Sequence, residues 1–315
     1  MNLENPISEI YQLEQTIRDF INEHRNALCL LKDQQKWLQI CSCLDVIGDT
    51  RLAIDAYGGT KYPRYVGLKY LYTYGILQAL FILQDAVSHL TEAFGVTHNP
   101  SEAVQKIRNY RNAAIGHPTK QDRDSNHRGV TFYNFINRST ISKESFEFGR
   151  YSAGKQSEIL KVNLTEAIEN QMSEVTKSLR AIVEHIEEED KAHKEKFKDS
   201  PLKAILHHAM SYYFEKILGG IDSQDQKSTG MMLVNLVRED YEKFKIAIEA
   251  RNEYHHPLDT EFKLVFHALT RLEEYLSDLN KNIVRADAKI YHLFLIKQHE
   301  KFDKFAEEID ASYKL

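Results

Sequence analysis

Cysteine is scarce in this 315-residue chain: Cys29, Cys41 and Cys43 are the full set. Three cysteines build no disulfide framework, and an odd count in a chain this long fits a reducing compartment. Cys41 and Cys43 stand one residue apart with no second pair at zinc-finger spacing, so they read as small, half-buried thiols. Turn punctuation is also thin, with 13 glycines and 6 prolines, which leans towards long helices. No charge sign dominates. Forty-one Lys and Arg face 46 Asp and Glu, a net charge of −5 that excludes a generally basic nucleic-acid coat but leaves room for a local basic cleft. The longest apolar run, Leu71 to Leu83, is interrupted by Thr73, Gln78 and two tyrosines and is too short to cross a bilayer. The opening MNLENPISEIYQLE has neither a charged n-region nor an apolar h-region, so no secretory signal is expected. A cytoplasmic protein with no membrane partner is the expectation. Glycine-rich phosphate loops, a serine nucleophile elbow and a Cys–His pair of recognisable spacing are all missing, and His207-His208 with Glu215 does not make a zinc-protease pattern. No metal and no cofactor are expected.

What is present is a soluble globular composition, 42% apolar and 28% charged. At roughly 150 residues per domain the length suggests one large or two ordinary domains. Helical periodicity dominates. Ile10, Leu13, Ile17, Phe20 and Ile21 recur at three- and four-residue steps, one face of a long amphipathic helix from Ile7 to Leu31. A second helix runs through Trp37 and Leu44 to the Gly58-Gly59 stop. Leu68 to Phe94 is apolar on most faces and belongs at the centre of a bundle. Asn99-Pro100-Ser101 opens a helix that runs towards Gly116-His117-Pro118, with Glu102 favourable against its dipole. Between about 129 and 163 the pattern alternates in GVTFYNFI, Ser145–Tyr151 and Glu158–Val162, predicting two or three short strands in a small sheet that leans on the bundle. Helical pattern resumes at Asn163 and ends in the charge run EHIEEEDKAHKEKFKD, which reads as a solvated helix end or linker. Four further helices are expected over Leu202–Leu218, Gly230–Tyr254, Thr260–Leu279 and Val284–Ile309, with a mobile GGIDSQDQKSTG loop after the first. The expected architecture is mainly α, up-and-down helical bundles with a small inserted antiparallel β-sheet, in two domains, 1–198 and 199–315.

Two segments look alike. Arg111-Asn112-Ala113-Ala114-Ile115-Gly116-His117-Pro118 and Arg251-Asn252-Glu253-Tyr254-His255-His256-Pro257 each follow an amphipathic helix, open with Arg-Asn and end on His-Pro. A guanidinium grips a phosphate bidentately, an imidazole moves a proton near neutral pH, and an Asn amide orients either one. A bend at Gly116 or before Pro257 brings Arg and His together. The plain alternative is capping: an arginine near a helix end bonds the last carbonyls and His-Pro stops the helix.

The arrangement resembles the HEPN superfamily, whose signature is Arg, a polar residue that is often Asn, then a short spacer before His. Arg111-Asn112-x4-His117 and Arg251-Asn252-x3-His256 both fit, and the helix-rich context is similar to that family's up-and-down bundles. The resemblance implies a metal-independent endoribonuclease from toxin–antitoxin, antiphage or CRISPR-associated systems, with RNA as substrate and an antitoxin or defence-system protein as partner. It implies that His117 activates the 2′-OH or protonates the leaving oxygen, that Arg111 stabilises the phosphorane and that Asn112 fixes geometry, with Arg251, Asn252 and His256 as the second set. It further implies two motifs facing one cleft, through a homodimer or an intramolecular pseudo-dimer. The sequence departs from one branch of the family, which has a Tyr two positions after the His; here those positions are Thr119 and Leu258. A catalytically silent helical module that binds nucleotide, RNA or a partner protein is the alternative function. Lys61, Arg64, Lys69, Arg108, Arg111, Lys120, Arg123 and Arg128 give the first motif a basic neighbourhood, in which Arg108 and Lys120 are candidate RNA contacts. Tyr62, Tyr65, Tyr70, Tyr72 and Tyr74 cluster nearby, better suited to packing than to base stacking. Gln84, Asp85 and His89 can lend polar groups to the cleft, although Asp85 and His89, one turn apart, read first as a satisfied Asp–His pair.

Overall fold

The computed structural model describes residues 4–122, 130–206, 209–280 and 282–314. The chain is mainly α, 75% helical, with ten α-helices and one three-stranded antiparallel sheet among the described residues. It divides into two compact units, Met1–Glu23 with Leu30–Glu187, and His24–Cys29 with Glu188–Leu315.

In the first unit α1 (Glu4–Asn22) buries Ile7, Ile10, Ile17 and Ile21, the face read from the sequence. The expected long helix breaks at Glu23, and α2 (His24–Leu30) follows. Asp33 starts α3 (Gln34–Gly59) by accepting from the Lys36 amide at 3.0 Å. The central helix is α4 (Val66–Phe94), closed by Gly95 in the left-handed conformation, φ 71°. Its 29 residues make it the one helix among those described that is long and apolar enough to cross a membrane, which the shorter run Leu71–Leu83 does not suggest. About a third of its apolar stretch is buried; Ile76, Leu77, Leu80, Leu83, Val87 and Leu90 face the core, while Leu68 and Leu71 are exposed. Ser101 caps α5 (Glu102–Arg111).

The sheet comprises β1 (Tyr133–Ile136), β2 (Ser145–Tyr151) and β3 (Glu158–Asn163), in spatial order β1-β2-β3. Tyr133 faces Tyr151, and Phe146 faces Val162. One face leans on the helices, since Phe146, Phe148 and Val162 join the first unit's core. β3 leads into α6 (Leu164–Phe197), whose Ile168, Met172, Val175 and Leu179 fill the same core.

The second unit is a closed four-helix ring: α7 (Met210–Asp222), α8 (Lys227–Ala250), α9 (His256–Leu276) and α10 (Arg285–Ser312) each pack on the next, and α10 returns to α7. Leu202–Ala204 forms a separate 3-10 turn instead of opening α7. The stretch expected to be a mobile loop is ordered: α7 runs on to Asp222, a 3-10 turn covers Gln224–Gln226, and α8 begins at Lys227. The glycines explain it. A Cβ on Gly220 would lie 3.1 Å from the Gly230 Cα, so these residues let the two helices touch backbone to backbone.

The boundary between the units lies within α6, earlier than residue 198, because the charge run packs instead of dangling. Asp190 pairs with Arg25 and, at 2.7 Å, with Lys194; the His193 ring packs on Phe197 and Tyr313.

Candidate active site

The first Arg-Asn…His segment sits on a backbone irregularity. α5 ends at Arg111 and continues as a π-helical turn over Asn112–Gly116, closed by the His117 amide donating to the Asn112 carbonyl at 2.7 Å. π turns concentrate at functional sites. Ala113 and Ala114 are buried and anchor the turn, whereas His117 is exposed. The following Pro118 carbonyl accepts from the Asn134 amide at 2.7 Å, which ties β1 to the residue after His117.

Arg111 is held from two sides. Its Nε and Nη2 donate to Gln78 Oε1 at 3.0 and 2.8 Å, and its Nη1 donates to Asn112 Oδ1 at 3.1 Å. Both partners are neutral amides, so they orient the guanidinium without cancelling its charge. The guanidinium also lies 4.3 Å from the Phe81 ring centroid. It reaches over Gly116, where a Cβ would stand 2.9 Å from Nη1. Glycine at 116 therefore makes room for the arginine next to the histidine. Asn112 thus holds one edge of the guanidinium.

The neighbouring candidates differ in kind. Arg108 stacks on the same ring, 4.2 Å from the Phe81 centroid, but donates to Asp85 at 2.7 Å and is paired there. Asp85 therefore partners Arg108 and not His89. Lys120 is exposed and lies 3.9 Å from Asp122. Arg123, Arg128 and His207-His208 lie outside the described residues. Within the tyrosine cluster the Tyr62–Tyr72 and Tyr70–Tyr74 rings pack at 6.0 and 5.7 Å, whereas Tyr65 is exposed.

The second segment is built differently. Arg251 is 3% exposed, donates from Nη1 to the Ala247 carbonyl at 2.9 Å and from Nη2 to the Ser200 carbonyl, and lies over Phe197. Burial lowers its pKa from the usual arginine value. Asn252 has φ 59°, and the Asn252 and Glu253 amides donate to the Glu249 and Ile248 carbonyls at 3.0 and 3.2 Å. That is the Schellman ending of α8, with Asn at its left-handed position. His255 caps α9, its Nδ1 accepting from the Leu258 amide at 3.3 Å, and His256 is the exposed first residue of that helix. Arg251 thus directs both terminal nitrogens to main-chain carbonyls, which is the capping arrangement.

Two residues of the first site are absent from the sequence reading. Gln78 and Phe81 stand three apart on α4 and meet Arg108 and Arg111, three apart on α5. The matching spacing is visible in sequence, but nothing there shows that α4 and α5 face each other. Among the described residues no three His, Cys, Asp or Glu side chains converge on a metal-sized point. No protein-family model, curated protein or solved structure matches the chain.

Proposed function

We propose that the protein is a metal-independent endoribonuclease, with Arg111 and His117 as its reacting groups and Asn112 and Gln78 positioning them. The observation that carries this reading is the guanidinium of Arg111, oriented by two neutral amides, bonded to no carboxylate among the described residues, and lying over Gly116, the residue before an exposed histidine. In the proposed step a neutral imidazole takes the proton of the RNA 2′-OH as its oxygen attacks phosphorus. The P–O5′ bond breaks, and the 5′-oxygen leaves with a proton from an imidazolium. The products are a 2′,3′-cyclic phosphate and a 5′-OH. Arg111 stabilises the charge that builds on the non-bridging oxygens, and removing such a donor costs about 10²–10³-fold in rate.

In-line attack places the entering 2′-oxygen and the leaving 5′-oxygen on opposite sides of the phosphorus, which one imidazole reaches poorly, so a second His117 is useful. The capped geometry of Arg251 and Asn252 argues against the second segment supplying it. A second copy of the chain is the better source. Leu68, Leu71 and Tyr74 expose 42, 64 and 41% of their surface on α4, with Gly75 open beside them, and this stripe runs up to Gln78. An apolar stripe ending at the site suits a two-fold contact that pairs two Arg111–His117 sets.

The test is the chemistry of the ends. RNA cut by the purified protein is expected to carry cyclic phosphate and 5′-OH termini, and a substrate with 2′-deoxyribose at the cleavage position is expected to stay intact. Cleavage of the deoxy substrate overturns the 2′-OH mechanism. RNA bound but never cut favours the silent module.

A further inference from the structure

A cavity of about 270 Å³ adjoins the candidate site, lined by residues that include Gln84, Asp85, His98, Arg108, Gln171 and Glu174. Two of these are buried amides, Gln84 at 8% and Gln171 at 1% exposure. The Gln84 amino group donates to the Val104 carbonyl at 3.2 Å and to Gln171 Oε1 at 2.8 Å. A carbonyl only accepts, so the Val104 contact fixes which end of the Gln84 amide is nitrogen. The second bond then fixes the Gln171 amide too. The Gln84 carbonyl and the Gln171 amino group are left without a hydrogen bond among the described residues, and neither is a sealed orphan atom. The cavity therefore holds a fixed acceptor and a fixed donor. Glu174, one turn along α6 from Gln171, adds a carboxylate that has no salt bridge among the described residues, whereas Asp85 is already paired with Arg108. Burial lowers the pKa of His98 against the opposing pull of Glu174. Val87, Val104 and Val175 supply apolar wall.

We infer that this cavity binds the guanine base of the RNA nucleotide beside the scissile phosphate, and so selects where the chain is cut. The inference rests on the endoribonuclease reading for its biological sense, although the binding itself does not need turnover. Guanine presents an acceptor, O6, and two donors, N1–H and N2–H, along one edge. The cavity offers the complement: the Gln171 donor, the Gln84 acceptor and the Glu174 carboxylate. Adenine carries one donor and one acceptor on that edge and would leave the carboxylate unanswered. The volume, just below the range of drug-sized pockets, suits a flat purine between apolar walls. Arg108 connects the two places, since it lines the cavity and stacks on the same Phe81 ring as Arg111. A base seated in the cavity would touch Arg108, which shares the Phe81 ring with Arg111.

The experiment titrates the full-length protein with guanosine, inosine and adenosine, uncharged probes that cannot exploit Arg111 through a phosphate. Guanosine is expected to bind about tenfold more tightly than inosine, which lacks N2, the effect of one contact of about 1.4 kcal/mol. Adenosine is expected to bind more weakly than guanosine. Glu174→Gln, a half-buried position on the α6 surface, is expected to erase the guanosine–inosine difference. Equal binding of guanosine and adenosine, no nucleoside binding, or unchanged discrimination in the variant overturns the inference. The nucleoside comparison needs no variant, so a misfolded mutant does not obscure it. Guanosine selectivity in a protein that cuts no RNA upholds the cavity and overturns the nuclease reading. Cleavage by a protein that ignores guanosine does the reverse.

Discussion

Gly116 shows how much of the candidate site depends on one missing methyl. A Cβ there would lie 2.9 Å from Arg111 Nη1 and 3.6 Å from Asn112 Oδ1, so it would push the guanidinium, the movable end of a long side chain. Gly116→Ala is expected to leave stability within about 1 kcal/mol of wild type, because the arginine can swing aside. Cleavage is expected to fall by about tenfold or more, because displacement of a positioned group by an ångström is costly in rate. Matched melting curves and single-turnover rates check this, and an active Gly116→Ala protein would show that the Arg111 position does not matter. The residue types were legible in the sequence: Arg111, Asn112 and His117 stood out by spacing. Gln78 and Phe81 did not, because an amide and an aromatic on an apolar helix signal nothing until the packing partner is known.

Elements separate the two look-alike segments. In the first, α5 widens into a π turn and delivers an oriented arginine; in the second, α8 ends in a Schellman cap with its arginine buried. Periodicity and composition cannot distinguish these outcomes, since both present Arg-Asn at a helix end and His-Pro a turn later. The decision comes from burial against Phe197 and Ser200, which lie far away in sequence. Asn252→Ala is expected to destabilise by about 1 kcal/mol, because alanine keeps the Cβ but loses the short polar side chain that makes Asn tolerant of the left-handed conformation, and Asn252→Gly to be near neutral. Neither is expected to change the cleavage rate below the melting transition. Urea denaturation beside a rate measurement tests this, and a rate loss in a folded Asn252→Ala protein would return the second segment to the active site. The strands, by contrast, were legible to within a residue or two in β2 and β3, because alternation with one buried face is a local pattern. The charge run of α6 was not, because Asp190 finds Arg25 only through the fold.

At the scale of the whole molecule, association and titration follow from what is exposed and what is buried. Leu71→Arg replaces a side chain that is 64% exposed, so folding is expected to change by no more than about 0.5 kcal/mol. If α4 carries the two-fold contact, the variant sediments as a monomer and loses cleavage; a dimeric, active variant contradicts that contact. Acid acts on both units, through His98 in the first and four histidines in the second. His193, His255, His292 and His299 all have pKa values lowered from 6.5, chiefly by burial. The unfolded chain therefore takes up more protons as pH falls through about 6.5, and stability present above that pH drains away below it. Denaturation midpoints are expected to fall between pH 7.5 and 5.5, whereas pH-independent midpoints would mean these rings are accessible. The central claim is that Arg111 and His117 cut RNA without a metal. The most direct measurement incubates the purified protein with a mixed RNA pool in EDTA, beside a folded His117→Ala variant. Cleavage by the wild type and none by the variant is the predicted result. No cleavage by either protein, or equal cleavage by both, would contradict the account.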